Sequence, residues 1–506
     1  MRPSRAAPAA YRAVVGLGAA LAAGRRARAG RRRSPAVAPR PGTRACRAVA
    51  AAVFVGVLLV PAGAVAAPGD TSVFARIGPP GYPAHAYVHP DGQVYEGTYV
   101  NHSAVGTPSK VFEFDPDGGT PRRGWTVPGQ DVSAGEQGVQ VATSDARGRL
   151  LLLDKTPARA LLLDRASGTF TTYARFPDLP SCTTVAYHVD CEPGGGDERP
   201  MPNYAVWLPD GTLLVTDYQQ DVVWRVPAGG GTPRVWLGLD AFRAADFGMA
   251  GIGLSADRRT VYATLASNLG TERLDQLQGR LLAIPLLDGG LPGTVRTLWT
   301  SGPLDLPDGF AISTAGNLYV ALVGASAQIV KLGPDGGEQA RFGVPVLGVN
   351  GSPIPFDAPS SARFQGTRLL VANQSALFGN AGNQAILAVE TGEQGVPELI
   401  PPGAGDQRTA APAPAAAAPR LSVTVAPSRL VLGHRTAVRL RVTAVQGGVR
   451  RAVPRARLRL AGRSVRTDAR GRASVTLRRT TTAAVRVVAS ATGFTTRRTT
   501  IAVRRR

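Results

Sequence analysis

Polar side chains recur at one point of a pattern that repeats along residues 80–400. Counted back from Asp-Gly-like turns, six aligned positions hold Ala84, Gln137, Asn203, Ala250, Asp308 and Ser360, and a one-residue uncertainty also admits His85 and Glu136. Hard cations such as Ca²⁺ take about six to eight oxygen ligands, preferably with more than one carboxylate. These residue types predict a divalent metal site, for Ca²⁺ or Zn²⁺. Its centre would be Asp308 and Asn203, with Gln137, Glu136 or His85 as further ligands.

The repeat itself predicts the elements that must position these residues. Its clearest copies are PNYAVWLPDGTLLVTDYQQDVVWRV from Pro202 and PDGFAISTAGNLYVALVGASAQIVKL from Pro307. Short apolar strands and tight turns at a period of roughly 50 residues are typical of a β-propeller with one four-stranded blade per repeat. Six copies predict six blades over residues 68–400. The loops that lead into the innermost strands would then surround one mouth of a central channel, where a small-molecule ligand or substrate would bind.

Each candidate residue also has a purely structural interpretation. An Asp in a loop before a strand often caps a turn by accepting backbone N–H bonds, which would explain Asp308 without a ligand. Asp154 and Asp217 end strand-like runs and are interpreted as turn residues. The sequence alone leaves both interpretations of Asp308 open.

Three segments resemble a known family. PDGFAISTAGNLYVALVG, VTDYQQDVVWRV and PNYAVWLPDG are similar to the senescence marker protein (regucalcin) and gluconolactonase family over most of residues 80–400. The resemblance implies a six-bladed propeller that binds a divalent metal at the channel mouth and hydrolyses sugar lactones. Asp308 matches the metal-binding Asp of the fifth blade, and Asn203 matches the Asn that lies beside the substrate.

The chain departs from that family pattern at two metal ligands. Ala84 or His85 stands where the first-blade Glu belongs, and Ala250 stands where the fourth-blade Asn belongs. Two functions therefore stay open. One is a metal-dependent hydrolase of lactones or related esters, with Asp308 and Asn203 as catalytic residues. The other is a non-catalytic ligand-binding scaffold.

Motifs for other chemistries, G-x-S-x-G, G-x-x-x-x-G-K and H-E-x-x-H, do not occur in the sequence.

The formal net charge of +23 is concentrated at the two ends of the chain. Residues 1–47 carry 12 Arg and no acid, and residues 420–506 carry 22 Arg and one acid, Asp468, which leaves −10 for the centre. The basic N-terminal stretch precedes AVAAAVFVGVLLVPAGAVAA, the order typical of a secretory signal. We expect residues 1–67 to direct secretion or association with the cell envelope. An uncleaved membrane anchor is the alternative, because the run is close to the roughly 20 residues that span a bilayer.

The C-terminal part has a different composition. Residues 401–420 are rich in Ala and Pro and are interpreted as a linker. Residues 421–506 show alternating strand patterns that predict a basic immunoglobulin-like β-sandwich, and VRTDARGRASVTL resembles bacterial immunoglobulin-like and carboxypeptidase-regulatory-like modules. Its arginine content has two explanations: the module adheres to an anionic cell envelope, or the arginines reflect high-GC coding bias at solvent-facing positions. Export and the scarcity of aromatic residues argue against a nucleic-acid partner, and we expect a monomer.

Two cysteines bound a polar insertion before the third blade. If the chain is exported, Cys182 and Cys191 are the cysteines that remain after processing. A pair of cysteines in an oxidising compartment predicts a disulfide. A zinc site that includes His188 is the alternative.

Overall fold

The computed structural model describes residues 67–99, 106–133, 137–182, 191–192, 198–239, 248–267, 278–303, 305–376, 380–406, 421–446, 449–491, 494 and 496–505. These residues form an all-β protein with six sheets before residue 391 and two sheets after residue 420. Short 3₁₀ turns occur at Asp288–Gly290 and Ala381–Asn383. Within these ranges, no helix is long and apolar enough to cross a membrane.

The first six sheets contain strands β1 to β25. Their bounds are β1 Thr71–Arg76, β2 Pro83–Val88, β3 Val94–Thr98, β4 Lys110–Asp115, β5 Gly118–Thr126, β6 Val139–Ser144, β7 Leu150–Lys155, β8 Ala158–Leu163, β9 Phe170–Arg175, β10 Pro202–Trp207, β11 Leu213–Asp217, β12 Val222–Val226, β13 Arg234–Gly238, β14 Met249–Leu254, β15 Thr260–Leu265, β16 Arg280–Leu287, β17 Leu291–Pro292, β18 Arg296–Thr300, β19 Pro307–Ile312, β20 Leu318–Leu322, β21 Gln328–Leu332, β22 Glu338–Phe342, β23 Pro359–Gln365, β24 Arg368–Asn373 and β25 Ala385–Glu390.

Each of these sheets is an antiparallel blade, and the blades form a closed ring. The innermost strands β2, β6, β10, β14, β19 and β23 each contact the next innermost strand, and β23 contacts β2. The sixth blade takes its outermost strand from the other end of the propeller, because β1 pairs with β25. This pairing joins the two ends of the ring and confirms the predicted six-bladed β-propeller.

The turns between the first two strands of the blades explain why the repeat was visible in the sequence. Gly211 and Gly316 adopt φ values of 79° and 82° in the Asp-Gly-type turns of blades 3 and 5. Only glycine enters this region without a steric penalty from a Cβ atom. Blade 4 lacks this glycine, and Arg258 takes φ 60° instead.

Alternating apolar side chains from adjacent blades pack into shared cores. Trp207 and Trp224 are both fully buried in the core between blades 2 and 3. Burial of large aromatic surfaces is a dominant favourable term in folding. All five tryptophans of the chain lie in the propeller sequence, at positions 125, 207, 224, 236 and 299.

After the sixth blade, residues 391–406 run along the end of the propeller opposite the mouth; we call them the C-terminal strap. Val396 N donates to Ile312 O of blade 5, and Arg363 of blade 6 forms an ion pair with Glu398 at 2.7 Å. Ala404 is buried in the core of blades 2 and 3, and its carbonyl accepts from Ala146 N. The propeller therefore extends to residue 406, six residues past the predicted boundary at residue 400.

The C-terminal strands form a separate β-sandwich. Their bounds are β26 Leu421–Ala426, β27 Arg429–Val431, β28 Arg435–Gln446, β29 Val449–Ala452, β30 Arg457–Leu460, β31 Arg463–Arg466, β32 Arg472–Arg478, β33 Val485–Ser490 and β34 Arg497–Arg504. One sheet contains β26, β28, β29 and β32, and the other has the order β27-β34-β33-β30-β31. Apolar residues of both sheets share one core. A specifically immunoglobulin-like topology stays a prediction.

Candidate functional site

Strand pairing identifies the equivalent residues at the mouth of the channel. In each blade the first residue of the innermost strand pairs with a residue at the end of the second strand. These pairs are Pro83–Thr98, Val139–Asp154, Pro202–Asp217, Met249–Leu265, Pro307–Leu322 and Pro359–Asn373. The residues that follow are therefore equivalent, and they are Ala84, Gln140, Asn203, Ala250, Asp308 and Ser360.

This register corrects the sequence alignment in blade 2. Gln140, and not Gln137, occupies the mouth position. Gln137 precedes β6 and donates from Nε2 to Thr107 O at 2.7 Å, so it lies in the connection between blades. Glu136 lies outside the described residues. The other five assignments agree with the register.

Two of the mouth residues lie where the innermost strand is irregular. The pairing register shifts between Pro202 and Ala205 in blade 3 and between Pro307 and Phe310 in blade 5, so Asn203 and Asp308 each lie in a β-bulge. Bulges re-aim side chains and are frequent next to functional sites. Both side chains are thus positioned by the same local distortion of an innermost strand.

Asp308 presents a carboxylate oxygen that lacks a partner. The residue is partly exposed, but its Oδ1 atom is buried and has no hydrogen-bond partner within the described part of the chain. Burial raises the pKa of Asp308 to about 7, against the lowering effects of the adjacent Tyr204 hydroxyl and the Lys155 charge. At neutral pH this carboxyl group is therefore divided between its protonated and ionised forms.

Tyr204 reaches across the channel. Its hydroxyl group donates to Ser360 O at 2.7 Å, which joins blade 3 to blade 6 on the opposite side of the ring. His85 of blade 1 packs against the Tyr204 ring at a centroid distance of 5.0 Å. The innermost part of the channel is therefore filled by side chains rather than open.

Lys155 places an ammonium group among the oxygen atoms that were candidate metal ligands. The residue is 1% exposed, and its Nζ donates to Gln140 Oε1 at 2.5 Å, to Asn203 Oδ1 at 3.1 Å and to Pro202 O. An ammonium group has three donors, so these acceptors satisfy all of them. Burial lowers the pKa of Lys155 to about 7, while the negative charges of Asp217, Asp308 and Asp154 act in the opposite direction.

Glu96 and His85 form a second buried polar group beside the mouth. Glu96 Oε1 accepts from the backbone N–H groups of Ala84 and His85, both at 2.9 Å, while its Oε2 has no partner among the described residues. Burial raises the pKa of Glu96 to about 8, so the carboxyl group is mostly protonated at neutral pH. Burial, followed by the charges of Arg363 and Lys155, lowers the pKa of His85 to about 3. His85 is therefore neutral.

The remaining mouth positions serve the packing of the ring. Ser360 Oγ donates to Ala84 O at 3.0 Å, and Thr216 Oγ1 donates to Ala250 O at 2.5 Å. Ala84 and Ala250 offer no side-chain donor atoms. These contacts tie neighbouring blades together through backbone carbonyls of the inner strands.

The described residues do not fit the metal site that the family resemblance implies. No group of three or more His, Cys, Asp or Glu side chains is arranged to hold a metal ion within them. Asn203 and Gln140 already direct their oxygen atoms at the Lys155 ammonium, and Ala84 and Ala250 replace two expected ligands. Asp308 is left as a single free carboxylate, which is too few charges to offset the dehydration of a divalent cation.

Asp217 has a structural role. Its carboxylate accepts from Met201 N at 3.0 Å, Gln220 N at 3.0 Å and Trp224 Nε1 at 2.9 Å. Asp154 accepts from Gln130 Nε2 and from Arg159 Nε, both at 2.8 Å. Both carboxylates bind neighbouring loops to the end of a second strand, as the turn interpretation of the sequence expects.

The sequence analysis missed four residues of this cluster: Glu96, Gln140, Lys155 and Tyr204. Two signals were present: Gln140 precedes Gly148 by the same eight residues that separate Asn203 from Gly211, and Lys155 is one of three lysines in the chain and ends the apolar run LLLLDK. A lysine in such a run is almost never fully buried unless it is paired. Glu96 and Tyr204 carried no such signal, because their proximity depends on closure of the ring.

A disulfide joins Cys182 and Cys191, whose Cα atoms are 5.0 Å apart. Residues 183–190, which include His188, lie outside the described residues. The bond closes the insertion that precedes the innermost strand of blade 3.

Comparisons with known proteins give only distant similarities. No protein-family model and no curated protein matches the chain. A calcium-binding regucalcin from Agrobacterium tumefaciens is 16% identical with a TM-score of 0.42, covering 65% of this chain and 98% of that one. A putative gluconolactonase is 13% identical with a TM-score of 0.42, covering 65% and 94%. Virginiamycin B lyase from Staphylococcus aureus is 15% identical with a TM-score of 0.36, covering 57% and 77%. At these values the similarities carry no argument about activity, and the propeller assignment rests on the strand topology.

Proposed function

We propose that the propeller is a scaffold that binds a small, hydroxyl-rich ligand at the channel mouth without a divalent metal. The observation that carries this proposal is the Oδ1 atom of Asp308, which is buried without a partner in the described structure. A buried acceptor left without a hydrogen bond costs about 1–3 kcal/mol. A ligand O–H group at this position would recover that free energy.

The position of Lys155 supports binding without a metal. Its Nζ atom already donates to the oxygen atoms of Gln140 and Asn203. A divalent cation at those oxygen atoms would have to displace Lys155 and bring further ligands that Ala84 and Ala250 cannot provide. Metal-dependent hydrolysis of sugar lactones, the activity that the family resemblance implies, is therefore less favoured than binding without a metal.

The experiment combines metal analysis with ligand binding on the purified chain. After dialysis against buffer without chelator, elemental analysis should find Ca²⁺, Zn²⁺ and Mn²⁺ well below one ion per chain. Calorimetric titration with D-gluconate and D-glucono-lactone should detect binding that Asp308→Asn abolishes. Asp210→Asn is the matched control, since Asp210 lies in a surface turn and pairs with Arg225 at 2.6 Å. Stoichiometric metal that is lost together with ligand binding would refute the proposal.

Hydrolysis of a lactone or related ester is the second candidate, and the pKa of Asp308 favours it. A general base is most efficient when its pKa lies near the working pH, and that of Asp308 is about 7. Asp308 would take the proton from water as the water oxygen adds to the lactone carbonyl, and it would return that proton to the ring oxygen as the ring C–O bond breaks, which gives the hydroxy acid and restores the carboxylate. The rate should rise with pH through an inflection near 7, resist EDTA and vanish in Asp308→Asn. Turnover that EDTA abolishes would instead indicate a metal-dependent enzyme.

We also propose that the protein is exported and acts as a monomer on a small molecule, without a nucleic-acid partner. The disulfide between Cys182 and Cys191 supports an oxidising compartment, because such bonds are rare in the cytosol. Mass spectrometry of protein recovered from outside the cytoplasm should find no free thiol at these two residues and an N-terminus near Ala66 or Ala67. Two free thiols would contradict export into an oxidising compartment, and an intact N-terminal region would support the membrane anchor.

A further inference from the structure

The C-terminal β-sandwich is covered by arginine on both outer faces. Residues 421–506 contain 21 Arg, no Lys and no Glu, and Asp468 is the single Asp. This composition was visible in the sequence, but the arrangement of the side chains was not. Strand pairing now specifies which arginines lie next to one another.

The first face is formed by β28 and β32. Buried Val438 and Leu440 alternate with exposed Arg439 and Arg441, so the arginines of β28 point away from the core. The same alternation in β32 buries Val475 and Leu477. The exposed arginines of this face are Arg435, Arg439, Arg441, Arg472 and Arg478.

Two pairs of arginines on this face stand directly opposite each other. Arg435 pairs with Arg478, and Arg441 pairs with Arg472, in the antiparallel register. Side chains at directly opposite positions have Cβ atoms about 4.5–5.5 Å apart, and like charges there destabilise the sheet. A face selected only for solubility does not require such opposed pairs.

The second sheet repeats the arrangement. Arg457 of β30 pairs with Arg466 of β31 on its outer face, and the buried neighbour Leu458 points into the core. The further exposed arginines of this sheet are Arg429, Arg459, Arg463, Arg486, Arg497, Arg498 and Arg504. Both sides of the sandwich therefore present rows of guanidinium groups.

The module does not neutralise these charges internally. Asp468 accepts from the backbone N–H groups of Arg470 and Arg472, at 2.9 and 2.7 Å, and so serves the turn before β32. Within the described residues of the module, no arginine forms an ion pair with a carboxylate. Water and salt then screen the repulsion between opposed arginines, and an anionic partner would relieve it further.

We propose that these faces bind a linear polyanion that carries repeated phosphate groups. The planar guanidinium group matches phosphate in bidentate geometry, which lysine cannot do, and this module uses arginine exclusively. Along one strand, outward side chains repeat at about 6.6 Å, and neighbouring strands are about 4.8 Å apart. Such a two-dimensional array suits an extended chain of charges better than one small anion.

The recognition is of the phosphate chain and not of nucleobases. Reading of single-stranded nucleic acid relies on aromatic side chains that stack on the bases. Phe494 is the module's one aromatic residue, and it packs against the hydrophobic core. A base-independent phosphate polymer is the partner that fits the arginine array.

The test titrates the full-length protein with long-chain inorganic polyphosphate and follows binding by calorimetry. We expect the binding affinity to fall as the salt concentration rises from about 50 to 200 mM. The slope of log K against log salt should be no steeper than about −3.5, the value for about five phosphate contacts on one face. The double variant Arg441→Gln with Arg472→Gln should weaken binding about tenfold or more. The same variant should raise the melting temperature of the module without ligand, because it removes an opposed pair.

The matched control is Arg470→Gln with Arg505→Gln, which removes the same charge from a turn and from the chain end. We expect this control to change the affinity by less than about threefold. If both double variants lost the same affinity for polyphosphate, net charge alone would explain the binding, and the proposal would be overturned. Absence of polyphosphate binding would overturn it as well. Tighter binding to duplex DNA, or binding only to vesicles of phosphatidylglycerol and phosphatidylcholine, would indicate a different partner and also refute it.

Discussion

Replacing Glu96 by glutamine should change how the stability of the propeller depends on pH. Glu96 is fully buried in the middle of β3, and burial raises its pKa from 4.5 to about 8. Between these two values the folded protein keeps the carboxyl proton, while the unfolded chain has lost it. Folding therefore takes up a proton, and the free energy of unfolding falls as pH rises from about 4.5 to 8.

The size of the effect follows from the width of this interval. Each pKa unit corresponds to about 1.4 kcal/mol, so Glu96 alone lowers the free energy of unfolding by about 2.5 kcal/mol between about pH 5.5 and 7.5. The glutamine side chain of the variant would keep an oxygen that accepts from Ala84 N and His85 N, and it has no proton to lose. Glu96→Gln should therefore be nearly neutral below about pH 4, stabilising by about 1.4 kcal/mol at about pH 5.5 and stabilising by about 4 kcal/mol at about pH 7.5.

Denaturant unfolding at several pH values measures this difference. Tryptophan fluorescence reports on the propeller alone, because residues 421–506 contain no tryptophan. Other titrating groups, including Asp308, are present in both proteins and cancel in the comparison. Thr98→Val is the control: Thr98 is buried on the same strand and does not titrate, so its effect should be the same at every pH. A Glu96→Gln effect that is equally independent of pH would refute the reasoning.

Three further predictions concern the ring and its insertion. Lys155→Met should remove part of the pH dependence of stability: burial lowers the pKa of Lys155 from 10.5 to about 7, so between these values the unfolded chain binds the proton that the folded protein has lost, and the free energy of unfolding of the wild type rises with pH; an equal rise in the variant, measured by denaturant unfolding, would contradict this. Gly309→Ala should destabilise the propeller, because an added Cβ would lie 2.7 Å from the Tyr204 hydroxyl oxygen. The control is Gly78→Ala, which should be tolerated because its added Cβ would have nothing within 4 Å. Equal melting temperatures for the two variants would argue against close packing at the mouth. Replacing both Cys182 and Cys191 by Ser should reduce stability by about 2–3 kcal/mol, as expected for a short closed loop; an unchanged midpoint under non-reducing conditions would mean that the bond adds no stability.

The amino-acid sequence determined the blades, because the information for each blade is local. Short apolar runs and glycines that tolerate positive φ, such as Gly211 and Gly316, recur in every clear copy. The same local pattern placed Asn203 and Asp308 at the mouth, since each lies at a constant distance from such a turn. The basic composition of residues 421–506 was equally plain, although not its division into two arginine faces.

Only the tertiary structure decided which side chains meet. The position of Gln140 does not depend on the tertiary structure, because it precedes Gly148 by the same eight residues that separate Asn203 from Gly211. Lys155 and Asn203 come together because blades 2 and 3 are neighbours in a closed ring, and β1 completes blade 6 only when that ring has closed. These contacts join residues up to several hundred positions apart, so no local pattern encodes them. Burial in the closed channel, and not residue type, then sets the pKa values of Glu96, Lys155 and Asp308.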